Sequence, residues 1–284
     1  MRIAVLADIH GNMPALEAVL ANLQPLQVDG MIVAGDMVTG PNSVEVLNRL
    51  QDLRAWMIRG NNENYLVRFE NGDAPDWWYT ARQWAVMRWV YQQMDSMSLD
   101  LIKSLPDERV IAFPGKDAIR VVHGSLDDPS EHLFPEQGHE ALDRTLARIN
   151  EPVLACGHSH IPWQEMRDGC LAFNPGAVCG PLNGYKGTQY ALLNWKGDGW
   201  ELEFRQLEYD FSLVRKEFED TGMLKEGGAF ARAYLQDVLS GTNHTAKFLD
   251  HAYRQAAQAG FPDCEYVPDE IWDRAVETYG WEEQ

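Results

Sequence analysis

The chain has 284 residues, 45% apolar and 24% charged, which is ordinary globular usage. At about 150 residues per domain, this length gives a prior of two domains, or one large domain with an appendage, and enough chain for a core without disulfides. Twenty-four Lys and Arg against 43 Asp and Glu leave a formal charge of −19, which repels duplex nucleic acid and anionic membrane, and no apolar run is long enough for a membrane helix.

A phosphate-bearing substrate stays admissible where cations sit in the site. The opening apolar run, Ile3 to Ala7, is too short for a signal peptide and is followed at once by Asp8, so the cytoplasm is expected. Cys156, Cys170, Cys179 and Cys264 show no CxxC spacing and are expected as thiols.

In chain order, Ile3 to Ala7 has the pattern of a buried strand. Asn12 caps a helix with Pro14 in its first turn and apolar residues at helical spacing up to Leu23. Met31 to Ala34 is a second strand, Pro41 to Leu53 a second helix and Ala55 to Ile58 a third strand. This alternation indicates an α/β layered domain. Residues 74–105 are rich in Trp and Met and suggest two or three short helices, either a satellite hydrophobic cluster or a cap over a pocket. Strands resume at Glu108 to Phe113 and Ala118 to Val122, joined by a Pro-Gly-Lys-Asp turn at 114–117. Further strands are expected at Val153 to Cys156, Leu171 to Phe173, Gln189 to Asn194 and Trp200 to Leu207. From about Phe211 the spacing is helical to the end, over Phe230 to Leu239, Thr245 to Ala259 and Asp269 to Tyr279.

Nearly every expected strand ends in a side chain able to bind metal. The ends read Asp8-Ile9-His10, Gly35-Asp36, Gly60-Asn61-Asn62-Glu63, His123-Gly124 and Gly157-His158-Ser159-His160. Ligands of open α/β sheets bind at the carboxyl ends of strands, so residues far apart in sequence would converge there. Carboxylate, amide and imidazole donors together suit Mn, Fe, Zn, Co or Ni better than Mg or Ca. Seven donors are too many for one tetrahedral ion and about right for two ions sharing a carboxylate.

Five such motifs in this order resemble the calcineurin-like metallophosphoesterases over roughly residues 1–207, and the Asn174-Pro175-Gly176 segment is similar to one in small bacterial and archaeal members. The resemblance implies a four-layer α/β/β/α sandwich of two mixed sheets, an α/β fold with a helical C-terminal appendage. The metallophosphoesterase domain would span 1–207, with the Trp-rich insert at 74–105, and 208–284 would pack on it as a helical extension. The resemblance also implies that Asp8, His10 and His160 bind one metal, that Asn61, His123 and His158 bind a second, and that Asp36 bridges them. Such ions sit about 3.5–4 Å apart and clamp a phosphoryl group for attack by a bridging hydroxide. The cofactors implied are two divalent transition-metal ions, Mn foremost, and the partner is a small phosphorylated substrate. Oligomeric state is not readable.

One position departs from the family pattern. Many members carry histidine directly after the metal-binding asparagine, as leaving-group acid or phosphate binder, and here that position is Asn62. Asn62 can donate a hydrogen bond to phosphate but not a proton, and general-acid help is worth about 10²–10⁴-fold. The gap favours phosphodiesters with good leaving groups. His132 is a candidate substitute or, as its position favours, an ordinary surface or loop histidine, and Arg59 a candidate phosphate contact or an ordinary salt bridge. Glu63 reads as an acid at a helix N-terminus, Cys179 as a structural thiol, and His139, His244 and His251 carry no assignment. The alternatives are a phosphomonoesterase or dinucleoside polyphosphate hydrolase with the same metals, or a binding or scaffold protein on this fold. Burial of the aromatic rings in 74–105 would favour a pocket wall, and their exposure a partner surface.

Overall fold

The protein is described by a computed structural model covering residues 1–135 and 140–281; His139 lies outside the described residues. The first half runs β1 (Arg2–Leu6), α1 (Met13–Leu23), β2 (Gly30–Val33), α2 (Ser43–Asp52), β3 (Trp56–Met57), α3 (Asn61–Asn71), α4 (Ala85–Gln93), α5 (Ser96–Ser104), β4 (Glu108–Ile111) and β5 (Ile119–Val122). Then follow α6 (Glu140–Leu146), β6 (Val153–Ala155), β7 (Trp163–Arg167), β8 (Cys170–Asn174), β9 (Thr188–Trp195), β10 (Trp200–Leu207), α7 (Phe211–Asp220), α8 (Met223–Ser240), α9 (His244–Gln258) and α10 (Asp269–Thr278).

The strands form two mixed five-stranded sheets, ordered β10-β9-β1-β2-β3 and β4-β5-β6-β8-β7. Alternation along β1 explains how they stack, because successive side chains of a strand point to opposite faces. Ile3 and Val5 face the second sheet and join Ile119, Val121, Val153 and Phe173 in the core between the sheets. Ala4 and Leu6 face the other way, into a core with Leu16 and Val19 of α1 and Leu47 and Leu50 of α2. On the far side of the second sheet, Leu154 and Ala172 pack with Ala141 and Leu142 of α6. The layers are therefore helix, sheet, sheet, helix, the α/β sandwich that the motif order implied.

Three elements escaped the sequence reading. β7 is a polar edge strand paired only to β8, α6 is a single short stretch, and α3 hides behind a polar Asn-Asn-Glu-Asn start while burying Leu66 and Phe69. The N-cap at Asn12 is as expected, its side chain accepting from the Ala15 N–H. No helix among the described residues is long and apolar enough to cross a membrane.

The insert and the tail meet. Trp78 and Trp84 stack at 3.8 Å with Tyr65 and Phe69 around them; of the rings in 74–105, Trp78 and Trp89 are buried, Trp77, Trp84 and Tyr91 half-buried and Tyr79 exposed. The tail is more than an appendage at its near end. Val214 and Phe218 of α7 and Ala231, Leu235 and Val238 of α8 share the core that contains Leu6 and Leu16. Only α9 and α10 build a smaller core of their own, around Phe248 and Trp272. Phe218 is fully buried, so Phe218→Ala should lower the free energy of unfolding by about 3–5 kcal/mol. Urea denaturation measures this, and a loss below about 1 kcal/mol would show that α7 merely rests on the sandwich.

Candidate metal centre

The parallel strands β1, β2 and β3 of one sheet and β5 and β6 of the other deliver their carboxyl ends to a common seam. Loops leaving those ends carry Asp8 and His10, Asp36, Asn61, His123, and His158 and His160. Each loop turns sharply. Asp8, His10, Asp36, His158 and His160 all have φ between 46° and 67°, a left-handed conformation that is uncommon outside glycine. Main-chain bonds stitch these turns together: Ile9 and His10 N–H groups donate to the Asp36 carbonyl, and Gly157 N–H to that of His123.

Two ligand groups result, Asp8 with His10 and His160, and Asp36 with His123 and His158. Asn61 joins the second, its Oδ1 3.1 Å from His123 Nε2. The groups touch. Asp36 Oδ2 lies 3.3 Å from His123 Nε2 and 3.8 Å from His10 Nε2, facing a histidine of each group. All seven ligand residues expected from the sequence are thus brought together.

The histidine partners decide what this arrangement can hold. Nδ1 of His10 bonds the Val38 carbonyl, Nδ1 of His123 that of Ala34 and Nδ1 of His160 that of Gly180. A carbonyl only accepts, so each Nδ1 carries the proton and each Nε2 points inward, free to offer a lone pair wherever the ring is neutral. His158 is reversed, with Nε2 on the Ser130 carbonyl, which leaves Nδ1 for the site. With both rings neutral, His10 and His160 set two lone pairs 3.0 Å apart, beside two carboxylates. Acceptors facing acceptors in a buried site repel unless a cation lies between them, so the donor set fits divalent metal.

Burial dominates the acid–base behaviour of the bare site. It lowers the His10 pKa to about 3 against the pull of Asp36, and that of His158 to about 3 with help from the His123 charge, keeping both neutral at pH 7. It raises Asp8 to about 6 although His160 and His123 oppose it. For His123 burial pulls down, but the Asp36 carboxylate outweighs it and lifts the ring to about 10.

Glu63 carries more than the helix-end role expected of it. Fully buried, it accepts from the Gly60 N–H at the start of α3 and from the N–H groups of Asp36, Met37 and Val38 after β2. It therefore ties the loop bearing Asp36 to the helix bearing Asn61. Burial and the neighbouring Asp36 charge push its carboxyl pKa up, while the N–H donors pull it back. Gly60 leaves the space: a Cβ there would fall 2.1 Å from Asp36 Oδ1. Asn174 braces the opposite side, its amide donating to the Gly157 carbonyl and to Ser159 Oγ.

The other expected residues divide. The backbone and side-chain N–H groups of Asn62 both donate to the Asp36 carboxylate, so the structure uses Asn62 to hold Asp36 rather than leaving it open to a phosphate. His132 does reach the site, stacked on His158 at 4.4 Å. Arg59 does not: Asp107 grips its guanidinium in a two-bond fork, and the expected phosphate contact gives way to the salt bridge. Cys179 is buried between Asn12 and the Tyr234 hydroxyl, its thiol pushed up to about 11 by burial, as a structural thiol should be.

The ligands open onto a cleft of 720 Å³. Its far walls are Trp84 and Met87 from the insert and Phe230, Tyr234, Leu249 and Tyr253 from α8 and α9. The sequence offered no signal for the tail residues, since their helical spacing reads as ordinary packing. Asp237 also lines the cleft, its carboxylate bound by the N–H groups of His244 and Thr245 and pushed to about 6 by burial.

Comparison with known proteins agrees with this geometry. The family model described as "Calcineurin-like phosphoesterase superfamily domain" matches residues 1–198. The chain is 26% identical over 236 residues to the protein MJ0912 of Methanocaldococcus jannaschii, covering 76% of this chain and 90% of that one. It is 25% identical over 205 residues to the phosphodiesterase YfcE of Escherichia coli K12, covering 68% and 88% respectively. A metallophosphoesterase structure from Sphaerobacter thermophilus superposes with a TM-score of 0.65 at 23% identity, over 80% of this chain and 100% of that one.

The Glu63 clamp makes a prediction that needs no metal. In Glu63→Gln one of the two acceptor oxygens becomes an NH2 group that opposes the N–H groups it meets. Hydrogen bonds to a charged acceptor are worth about 1.5–3 kcal/mol, and the metal-stripped variant should lose at least that much stability in urea. A change within about 0.5 kcal/mol would refute the clamp.

Proposed function

The chain belongs to the calcineurin-like phosphoesterase superfamily, and from that premise we propose that it is a dinuclear metal-dependent phosphodiesterase. The observation carrying the proposal is the contact of two ligand groups through Asp36, with lone pairs of His10 and His160 facing each other at 3.0 Å. Asp8, His10 and His160 hold one ion, Asn61, His123 and His158 the other, and Asp36 lies between. Mixed oxygen and nitrogen donors favour Mn2+ among the divalent transition metals. When bound, such ions supply Lewis acidity towards phosphoryl oxygens and activate water at neutral pH.

The chain's own groups do the rest. Glu63 fixes the backbone at Asp36 and Asn62 fixes its carboxylate, so the carboxylate need not reorganise during the reaction. The carbonyls of Val38, Ala34, Gly180 and Ser130 fix the imidazole tautomers. His132, stacked on His158 at the cleft wall, takes the place of the absent family histidine beside the leaving group. Asn62 has no proton to give, which supports a diester whose leaving group departs without strong acid help. The printed activity of the Escherichia coli relative supports the same choice. A scaffold role is disfavoured, because every ligand position is filled. The setting proposed is the cytoplasm, and the four cysteines standing as thiols support it.

Metal-stripped protein reloaded with Mn2+ should hydrolyse bis(p-nitrophenyl) phosphate in preference to p-nitrophenyl phosphate, and Asp36→Asn should lower kcat by about 100-fold or more. Undiminished turnover after metal removal, or in Asp36→Asn, would overturn the proposal.

A further inference from the structure

The cleft is much larger than its ligand floor requires. Small-molecule sites occupy about 300–1,000 Å³ and are lined mainly by apolar and aromatic side chains with a few placed polar groups. At 720 Å³ this cleft holds far more than a phosphate, and its walls away from the histidines include Trp84, Phe230 and Tyr253, with Gln83, Asn243 and Thr245 among the neutral polar groups beside them. No Lys or Arg is among the described residues that line it, and Asp237 adds a carboxylate to the same wall. Away from the metal centre the cleft therefore offers aromatic surface and no cationic partner for an anion.

Trp84 is pre-set for a flat ligand. Trp78 stacks on it at 3.8 Å, and Tyr65 and Trp77 meet it in T-shaped contacts at 5.2 and 5.6 Å. Three rings thus hold it in place. The neighbouring Gln83 latches this wall to the tail, its amide donating to the Tyr253 hydroxyl and its carbonyl accepting from the Val267 N–H. Arg82 adds ion pairs to Asp269 and Asp273 of α10. Insert and tail, about 170 residues apart in sequence (Gln83 to Tyr253), so make one braced wall over the ligands.

We propose that this wall selects the substrate: a phosphodiester in which one ester group is a planar aromatic ring without negative charge, on the scale of an aryl group or a nucleobase, seated against Trp84, Phe230 and Tyr253. This rests on the phosphodiesterase reading of the metal centre and names the class of diester it takes. Aromatic stacking of this kind is worth about 1–3 kcal/mol per ring, or about 5–150-fold in affinity. A further anion beside Asp237, with no cation to pair it, loses that gain.

The test is calorimetric titration of the Mn2+-loaded protein at pH 8 with three diesters that differ in one group: dimethyl phosphate, methyl phenyl phosphate and methyl 4-carboxyphenyl phosphate. The phenyl ester should bind about 10-fold or more tightly than the dimethyl ester, and the carboxyphenyl ester should lose most of that advantage. Trp84→Leu and Tyr253→Ala should each shrink the phenyl-to-methyl ratio. Tyr253 is half-buried on α9 and keeps the test available if Trp84→Leu fails to fold. Equal binding of the phenyl and dimethyl esters, or tightest binding of the carboxyphenyl ester, overturns the proposal. A phenyl preference that survives in protein unable to turn over bis(p-nitrophenyl) phosphate with Mn2+ upholds the wall and refutes the phosphodiesterase reading instead.

Discussion

Glu63 is a buried carboxyl group with no cation bonded to it among the described residues; main-chain N–H groups from two separate segments hold it there. An unpaired charge in such a place is expensive, so those donors are bound to stay where the carboxyl needs them. The consequence runs outward. The loop after β2 is pinned to the first turn of α3, Asp36 and Asn61 are fixed relative to each other, and Asn62 is brought onto the Asp36 carboxylate. Gly35 permits the same approach, with a φ of +87° and only 2.6 Å between a Cβ built there and His123 Nδ1. The left-handed turns at Asp8, His10, Asp36, His158 and His160 are held by bonds of this kind, since isolated residues seldom adopt them.

The helices complete what the strands begin. The strand ends set a floor of acceptors that suits cations, while the insert and the tail build the walls above it. Hydrophobic packing of α7 and α8 into the same core as α1 and α2 joins the α8 side of the wall to the sandwich, and the Gln83 bonds to Tyr253 and Val267 tie the α9 side to the insert. A protein of charge −19 that carries its cations only at the floor would attract a phosphate to one place and leave the rest of the cleft to apolar contact.

The candidate metal ligands were legible in the sequence because each stands at the end of a short apolar run, and a strand end has a fixed address in an α/β sheet. Most strands were legible for the same reason: Trp200 to Leu207 coincides with β10, and the turn at 114–117 joins the antiparallel β4 and β5. β7 was not, since an edge strand with one paired side needs no apolar run. The fates of Asn62 and Arg59 depend on partners distant in sequence, Asp36 and Asp107, and local pattern carries no information about those. Phe230, Leu249 and Tyr253 were hidden for a related reason. A helix that buries one face looks alike whether that face meets a core or a cleft.

If the two ligand groups hold two ions sharing Asp36, electron paramagnetic resonance of Mn2+-reconstituted protein, with metal content measured on the same sample, will detect it. The expected result is two Mn2+ per chain with an exchange-coupled spectrum, which reverts to isolated Mn2+ signals in Asp36→Asn. A single Mn2+ per chain, or two that remain uncoupled in the unaltered protein, would contradict it.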